Sequence, residues 1–257
     1  MKKNLLFIAC VLLFSVPVFS QEEVVVIEEE IIVPEEEIAQ SSVIFDGSPY
    51  NFIFSWKKKA TESHWTGLGF AFSNLKGLEG ADLKMSKSYS VILNIGDYIV
   101  PFNQNWLFFT GVGMDFTRYH FKGNTGLQEV DNIAQFVPSE EGVNYKSSKL
   151  LAYYVTIPLM LEYQTKFGNN KVFFVNGGIE GMIKYYSKSQ VDIRREEGTK
   201  KVELGRDLNI LPINARLVLR AGFEDFSLFG YYQPYSMFKD GKGPDVNPYG
   251  IGVMLNF

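Results

Sequence analysis

Two histidines, His64 and His120, and a single cysteine, Cys10, are the obvious nucleophile and metal-ligand chemistry in this chain of 257 residues. His120 stands between Tyr119 and Phe121, with Ser147 and Ser148 in a polar stretch downstream. A lipid acyl hydrolase or transferase working at a membrane rim would use such a Ser and His. No other motif supports catalysis. The chain has no His-x-x-x-His or Glu-x-x-His spacing, no Gly-x-Ser-x-Gly elbow and no phosphate loop. Gly177, Gly178 and Gly181 read as room for bulky neighbours, not as a cofactor loop. The expectation is a protein that is not an enzyme and carries no metal or cofactor.

A second set of charged residues needs a different explanation. Glu162, Glu180, Lys184, Arg216 and Arg220 fall on the same face as small or polar residues in apolar, alternating segments, and Asp115 does so in an earlier one. Residues 151, 153, 155, 157, 159, 161 and 163 are Leu, Tyr, Val, Ile, Leu, Leu and Tyr, while Glu162 falls on the other parity. Ile213, Ala215, Leu217, Leu219, Ala221 and Phe223 likewise oppose Arg216 and Arg220. Period-two alternation is the strand signal. Charges facing lipid would be intolerable, but they can pair inside a small polar lumen. Glu180 and Arg216 are expected on neighbouring strands as the centre of that network.

Eight strands are predicted to position these residues, over 64–73, 87–101, 105–121, 148–165, 171–189, 208–223, 226–238 and 247–257. Connections at 102–104, 166–170 and 224–225 are tight, whereas those at 74–86, 122–147, 190–207 and 239–246 are long and polar. Strict alternation of short turns and long loops, with an even strand number, predicts an all-β, eight-stranded antiparallel transmembrane β-barrel. Both termini then lie in the periplasm. A lipocalin-like barrel also alternates, but it hides its apolar face around a ligand, and here the charge-poor face is a continuous band. Faces of the seventh strand stay unassigned, and Pro158 in the fourth predicts a local bulge.

Composition agrees with that architecture. The chain is 46% apolar and 15% aromatic with a net charge of -4, and its mean hydropathy of -0.03 excludes a polytopic helical membrane protein. A mildly acidic chain has no electrostatic reason to seek nucleic acid. Lys2, Lys3 and the apolar run 5–19 read as a signal peptide over 1–20, which leaves a cysteine-free mature chain. Residues 21–49 form an acidic leader, with Glu22, Glu23, Glu28, Glu29, Glu30, Glu35, Glu36 and Glu37 keeping 21–39 extended. Residues 50–257 are the barrel domain. At its end Tyr249, Ile251, Val253, Leu255 and Phe257 occupy every second position, a pattern similar to the insertion signal read by the outer-membrane assembly machinery.

His64-Trp65-Thr66-Gly67, Gly111-Val112-Gly113, Thr156-Ile157-Pro158-Leu159, the run 177–181 (Gly-Gly-Ile-Glu-Gly) and the run 238–244 (Phe-Lys-Asp-Gly-Lys-Gly-Pro) together resemble the PorT-like outer-membrane β-barrel proteins of Bacteroidetes. The resemblance spans about residues 50–257. It implies an outer-membrane location, Pro158 as a family feature, and a structural, envelope-scaffold or protein-export accessory role. Expected partners are outer-membrane lipid, the assembly machinery and other envelope or secretion proteins. A small-solute pore and a lipid-modifying enzyme are the alternatives, and eight strands argue against the pore because side chains fill so narrow a lumen.

Overall fold

The computed structural model describes residues 62–167, 171–195 and 198–257. The signal peptide and acidic leader expected over 1–49, and the Gly168 turn, lie outside the described residues.

Eleven strands form: β1 (Gly67–Lys76), β2 (Tyr89–Pro101), β3 (Trp106–Phe121), β4 (Thr125–Val130), β5 (Ile133–Pro138), β6 (Tyr145–Phe167), β7 (Lys171–Arg195), β8 (Gly198–Arg206), β9 (Ile213–Phe223), β10 (Phe226–Tyr232) and β11 (Asn247–Asn256). Eight of them close a ring of antiparallel pairs in the order β1, β2, β3, β6, β7, β9, β10, β11 and back to β1. Closure leaves the eight ring strands no free edge where they cross lipid, and backbone groups there would have no other partner. The other three belong to the long connections. Residues 122–147 fold a hairpin, β4 with β5, around Asp131 and Asn132, both at positive φ (53° and 61°). Two such residues make the turn that matches strand twist. β8 pairs with the upper part of β7.

Burial alternates along the strands as the pleat requires. In β1, Leu68, Phe70 and Phe72 are exposed, while Ala71 and Ser73 are buried. Tyr249, Ile251, Val253, Leu255 and Phe257 all face outward on β11 and just beyond it. β10, whose faces the sequence left open, points Phe226, Leu228 and Tyr232 out and Ser227, Phe229 and Tyr231 in. Aromatic residues on its inner face had masked the alternation. Aromatics gather at both ends of the outward belt: Trp106 against Tyr163 (5.0 Å) at the tight-turn end, and Phe116, Tyr153, Tyr186 and Tyr89 toward the loop end. Such girdles mark the two interfaces of a membrane.

β6 and β7 have 23 and 25 residues, more than twice the 9–11 that cross a bilayer. They therefore stand well beyond the loop-end girdle as a pleated wall, which β8 extends.

Pro158 causes no bulge. The β3–β6 ladder omits Gly111 and Val112 opposite Ile157 and Pro158, yet resumes in the same register at Gly113 and Thr156. The missing donor is absorbed as a two-residue gap, and the bulge lies one strand away, at Ile95 of β2. Gly178 is where a side chain is forbidden: a Cβ there would lie 2.1 Å from the Leu159 carbonyl oxygen.

Candidate functional site

The lumen is filled in layers. At the tight-turn end the chain does not start β1 at once. Residues 62–66 turn into the barrel, and Trp65 is 1% exposed within an apolar cluster that includes Leu107, Phe109, Met160, Phe229 and Met254. Its carbonyl accepts from Asn94 Nδ2 at 2.9 Å. His64 stacks on Phe174 (centroids 3.9 Å apart), and its Nδ1 lies 2.8 Å from Glu162 Oε1. Gln164 Nε2 and Asn176 Nδ2 also donate to the Glu162 carboxylate, at 2.6 and 2.8 Å. Ser63 donates to Asp97. These contacts make the segment before β1 a plug.

Arg216 holds the middle layer. Its Nη1 donates to Asp115 Oδ2 at 2.5 Å and its Nη2 to Glu180 Oε1 at 3.0 Å, while the guanidinium lies 4.6 Å from the Tyr231 ring centre. Glu180 and Arg216 stand directly opposite in the β7–β9 register. All three charged residues are at most 3% exposed. The network continues through hydroxyls. Thr117 Oγ1 donates to Asp115 at 2.5 Å; Ser90 reaches Thr117 at 2.5 Å and Ser73 at 2.8 Å; Ser73 reaches the Tyr231 hydroxyl at 2.7 Å. Charged hydrogen bonds of this kind are the strong ones, and a low dielectric raises the stakes of each.

Arg220 lies between the two layers. It donates to the His64 carbonyl at 3.0 Å and lies over the rings of Trp65 (5.0 Å) and Phe229 (5.8 Å). Two lumenal voids flank Arg216, each about 10 Å³, the space of about one water.

Toward the loop end a second apolar cluster closes the barrel, joining Tyr119, Phe121, Leu150 and Met182 from the wall to Leu127, Ala134, Leu208, Ile210, Met237 and Phe238 from the connections. Lys184 belongs here. It pairs with Asp207 and donates to the Ile210 carbonyl at 2.8 Å, so it ties a loop to the wall and stays apart from the Arg216 network where the sequence had placed it.

The serines expected near His120 do not engage it. His120 stands opposite Lys149 on the outward face, and Ser148, opposite Phe121, takes the other face. Among the described residues no hydrogen bond joins His120 to Ser147 or Ser148, and no group of three or more His, Cys, Asp or Glu could hold a metal. Burial lowers the His120 pKa to about 4, helped by the positive charges of Lys87, Arg118, Lys84 and Lys149. Nearby, burial pushes the Asp192 carboxyl up, but hydrogen bonds from Lys149 (3.1 Å) and Gln190 (3.2 Å) outweigh it and hold it below the ordinary carboxylate range.

The plug was the feature sequence reasoning missed. His64 and Trp65 continue an alternating pattern into β1, so nothing local separates them from a strand. Their signal was the excess of aromatic and imidazole bulk before Gly67.

No curated protein shows similarity to the chain. Among solved structures, Ail, the attachment invasion locus protein of Yersinia pestis, is similar at 14% identity and a TM-score of 0.31, covering 75% of this chain and 99% of its own. Ail in complex with the heparin analogue sucrose octasulfate gives 14% identity and a TM-score of 0.31, over 74% and 95% of the two chains. The outer membrane protein beta-barrel domain family matches residues 65–236, from the plug tryptophan to beyond β10. The closed ring, the outward apolar belt and a family match over most of the chain agree, and the chain belongs to the outer membrane protein beta-barrel domain family.

Proposed function

We propose that the protein is a non-conducting, non-enzymatic barrel of the PorT-like kind found in Bacteroidetes, serving as an envelope scaffold or protein-export accessory. It is exported by the signal peptide 1–20 and inserted through the Tyr249 to Phe257 face. Its termini lie in the periplasm, and the folded rim of β4, β5 and β8 stands outside the cell. Its partners are outer-membrane lipid and other envelope or secretion proteins. The observation that carries this reading is the sealed lumen: a plug, a charge layer and an apolar cap follow one another, leaving voids of about 10 Å³. What the fold offers other molecules is therefore its surface. A lipid-modifying reading would need His120 joined to Ser147 or Ser148, and Ser148 takes the opposite face while neither serine hydroxyl nor His120 Nδ1 makes a hydrogen bond.

Planar-bilayer recording of purified protein, with labelling of single cysteines on whole cells, tests this. No stable conductance is expected. A cysteine replacing the exposed Glu141 should react with an impermeant reagent, and one replacing Gln104 in a tight turn should not. Reproducible channels, or the reverse labelling, would overturn it.

A further inference from the structure

The girdle at the loop end carries a cationic patch on one side of the barrel. Tyr89 of β2 stands opposite Arg118 of β3, whose Nη1 donates to the Tyr89 hydroxyl at 3.3 Å and whose guanidinium lies 5.8 Å from that ring centre. Arg118 is two residues, about 7 Å, above Phe116 on the same outward face. Lys87 ends the 3-10 turn Met85–Lys87, which leads into β2 at Tyr89. The connection carrying Lys84 is stitched to the end of β3, where the Lys84 amide donates to the His120 carbonyl at 2.7 Å and Leu83 bridges Phe121. Lys84, Lys87, Arg118 and His120 thus gather just beyond the aromatic ring, close enough for the three cations to act on His120. That is headgroup depth.

Two further facts indicate that this patch is built to receive an anion. Among the described residues Lys84, Lys87 and Arg118 make no salt bridge, whereas their neighbour Lys149 is taken by Asp192 at 3.1 Å. At the same place Arg118 Nε is a buried donor with no hydrogen-bond partner. A buried donor without an acceptor is costly. In a chain of net charge -4, uncompensated cations held beside an unpartnered donor call for an acceptor from outside the protein. Guanidinium and ammonium groups recognise phosphate oxygens by charge and hydrogen bond together.

We propose that Lys84, Lys87, Arg118 and His120 form a binding site for the phosphate group of a lipid headgroup in the leaflet that meets the loop ends, the outer leaflet in the orientation given above. The site rests on that reading of the protein as a membrane barrel. Arg118 and the two lysines supply the charge, and the neighbouring His120 ring supplies one N–H donor.

The test uses the full chain in phosphatidylcholine nanodiscs doped with bisphosphorylated lipid A or with the same lipid stripped of phosphate, and native mass spectrometry to count lipid retained. The phosphorylated form should be retained selectively. Lys84→Gln, Lys87→Gln and Arg118→Gln should each weaken retention about fivefold, and the triple variant about a hundredfold. Lys200→Gln with Lys201→Gln, exposed on β8, should leave it unchanged. Equal retention by the triple variant, an equal loss in the β8 control, or displacement by inorganic phosphate as readily as by lipid would each overturn the site. Each variant is also run on gels before and after heating. A chain that shows no heat-dependent mobility shift would reject the barrel reading itself, whereas lost selectivity in a normally shifting barrel rejects only the phosphate site.

Discussion

Replacing Arg216 by Ala removes the one cation shared by Asp115 and Glu180, both of which are fully buried. Breaking a buried ion pair from one side costs roughly 3 to 5 kcal/mol, because the partner charge is stranded. Here two carboxylates lose their partner, but relief is at hand. Asp115 keeps its bond from Thr117, and Arg220 lines the same void as Glu180 and Arg216 and can turn toward the vacated space. The expected loss is therefore about 3 kcal/mol, the low end of that range. Urea unfolding in micelles, followed by tryptophan fluorescence and gel mobility, reads it directly, with the buried Trp65 as a reporter close to the site. The sharper measurement is the cycle with Glu180→Gln and Asp115→Asn. In Asp115→Asn/Glu180→Gln/Arg216→Met no charge is stranded, so this variant should lose less than the summed single losses, by more than 1 kcal/mol. Strict additivity, or a loss under 1 kcal/mol for Arg216→Ala, would refute the claim that these charges act as one unit.

His120 binds a proton more weakly folded (pKa about 4) than unfolded (6.5), so its contribution is fully present above pH 6.5 and is lost as pH falls toward 4. A shift of that size is worth about 3 kcal/mol at most and less after solvent screening at the rim, so hydrogen exchange at the loop end of β3 should quicken modestly over this window in wild type but not in His120→Gln. Gly178→Ala drives a methyl into the Leu159 carbonyl and should cost about 1 to 3 kcal/mol, whereas Gly177→Ala and Gly181→Ala, whose Cβ atoms would meet neighbours at 3.4 Å and 3.6 Å, should be close to neutral in the same urea assay. Phe257→Lys places a charge at the membrane edge, where the direct cost is about 0 to 1 kcal/mol. Any large fall in folded barrel on immunoblots of envelope fractions must therefore come from failed assembly, and normal levels would remove Phe257 from the insertion signal.

Legibility in the sequence followed how much one segment's burial depends on others. β6, β7, β9 and β11 meet lipid on one face over their spanning length, so alternation alone revealed their faces and put Glu180 of β7 and Arg216 of β9 on the polar side. β10 was opaque because its inner face carries Phe229 and Tyr231, which serve as cluster and network members and look locally like lipid-facing residues. The connections were read as polar loops because their apolar residues are few and spaced. Leu127, Ala134 and Leu208 become core only when the hairpin, the 207–211 turn and the 237–246 segment meet over the mouth. The Asp131-Asn132 pair between two short alternating runs was a hairpin signal that length alone obscured. Asp207, Leu208 and Asn209 are all left-handed (φ 63°, 48° and 56°), a conformation that costs Leu208 energy locally and is held by its complete burial. No local rule could predict that.

The polar layer also answers a problem that an apolar belt cannot solve. Lipid-facing side chains are nearly interchangeable, so sliding one strand by two residues against its neighbour would leave the belt looking much the same, while a slip of one would turn the charges to lipid. Two-residue slips must be excluded by contacts that occur at one height only. The chain from Arg216 through Asp115, Thr117, Ser90 and Ser73 to Tyr231, with Glu180 on the other side, takes members from β1, β2, β3, β7, β9 and β10. Shifting any one of these strands by two residues would separate its member from the rest by about 7 Å, beyond any hydrogen bond, and strand a polar group in the lumen. The desolvation penalty that makes this network weak as a source of stability thus makes it effective as a source of register. With the register fixed, the long upper strands β6 and β7 carry the rim, and the cationic face beside it, at one defined height above the membrane.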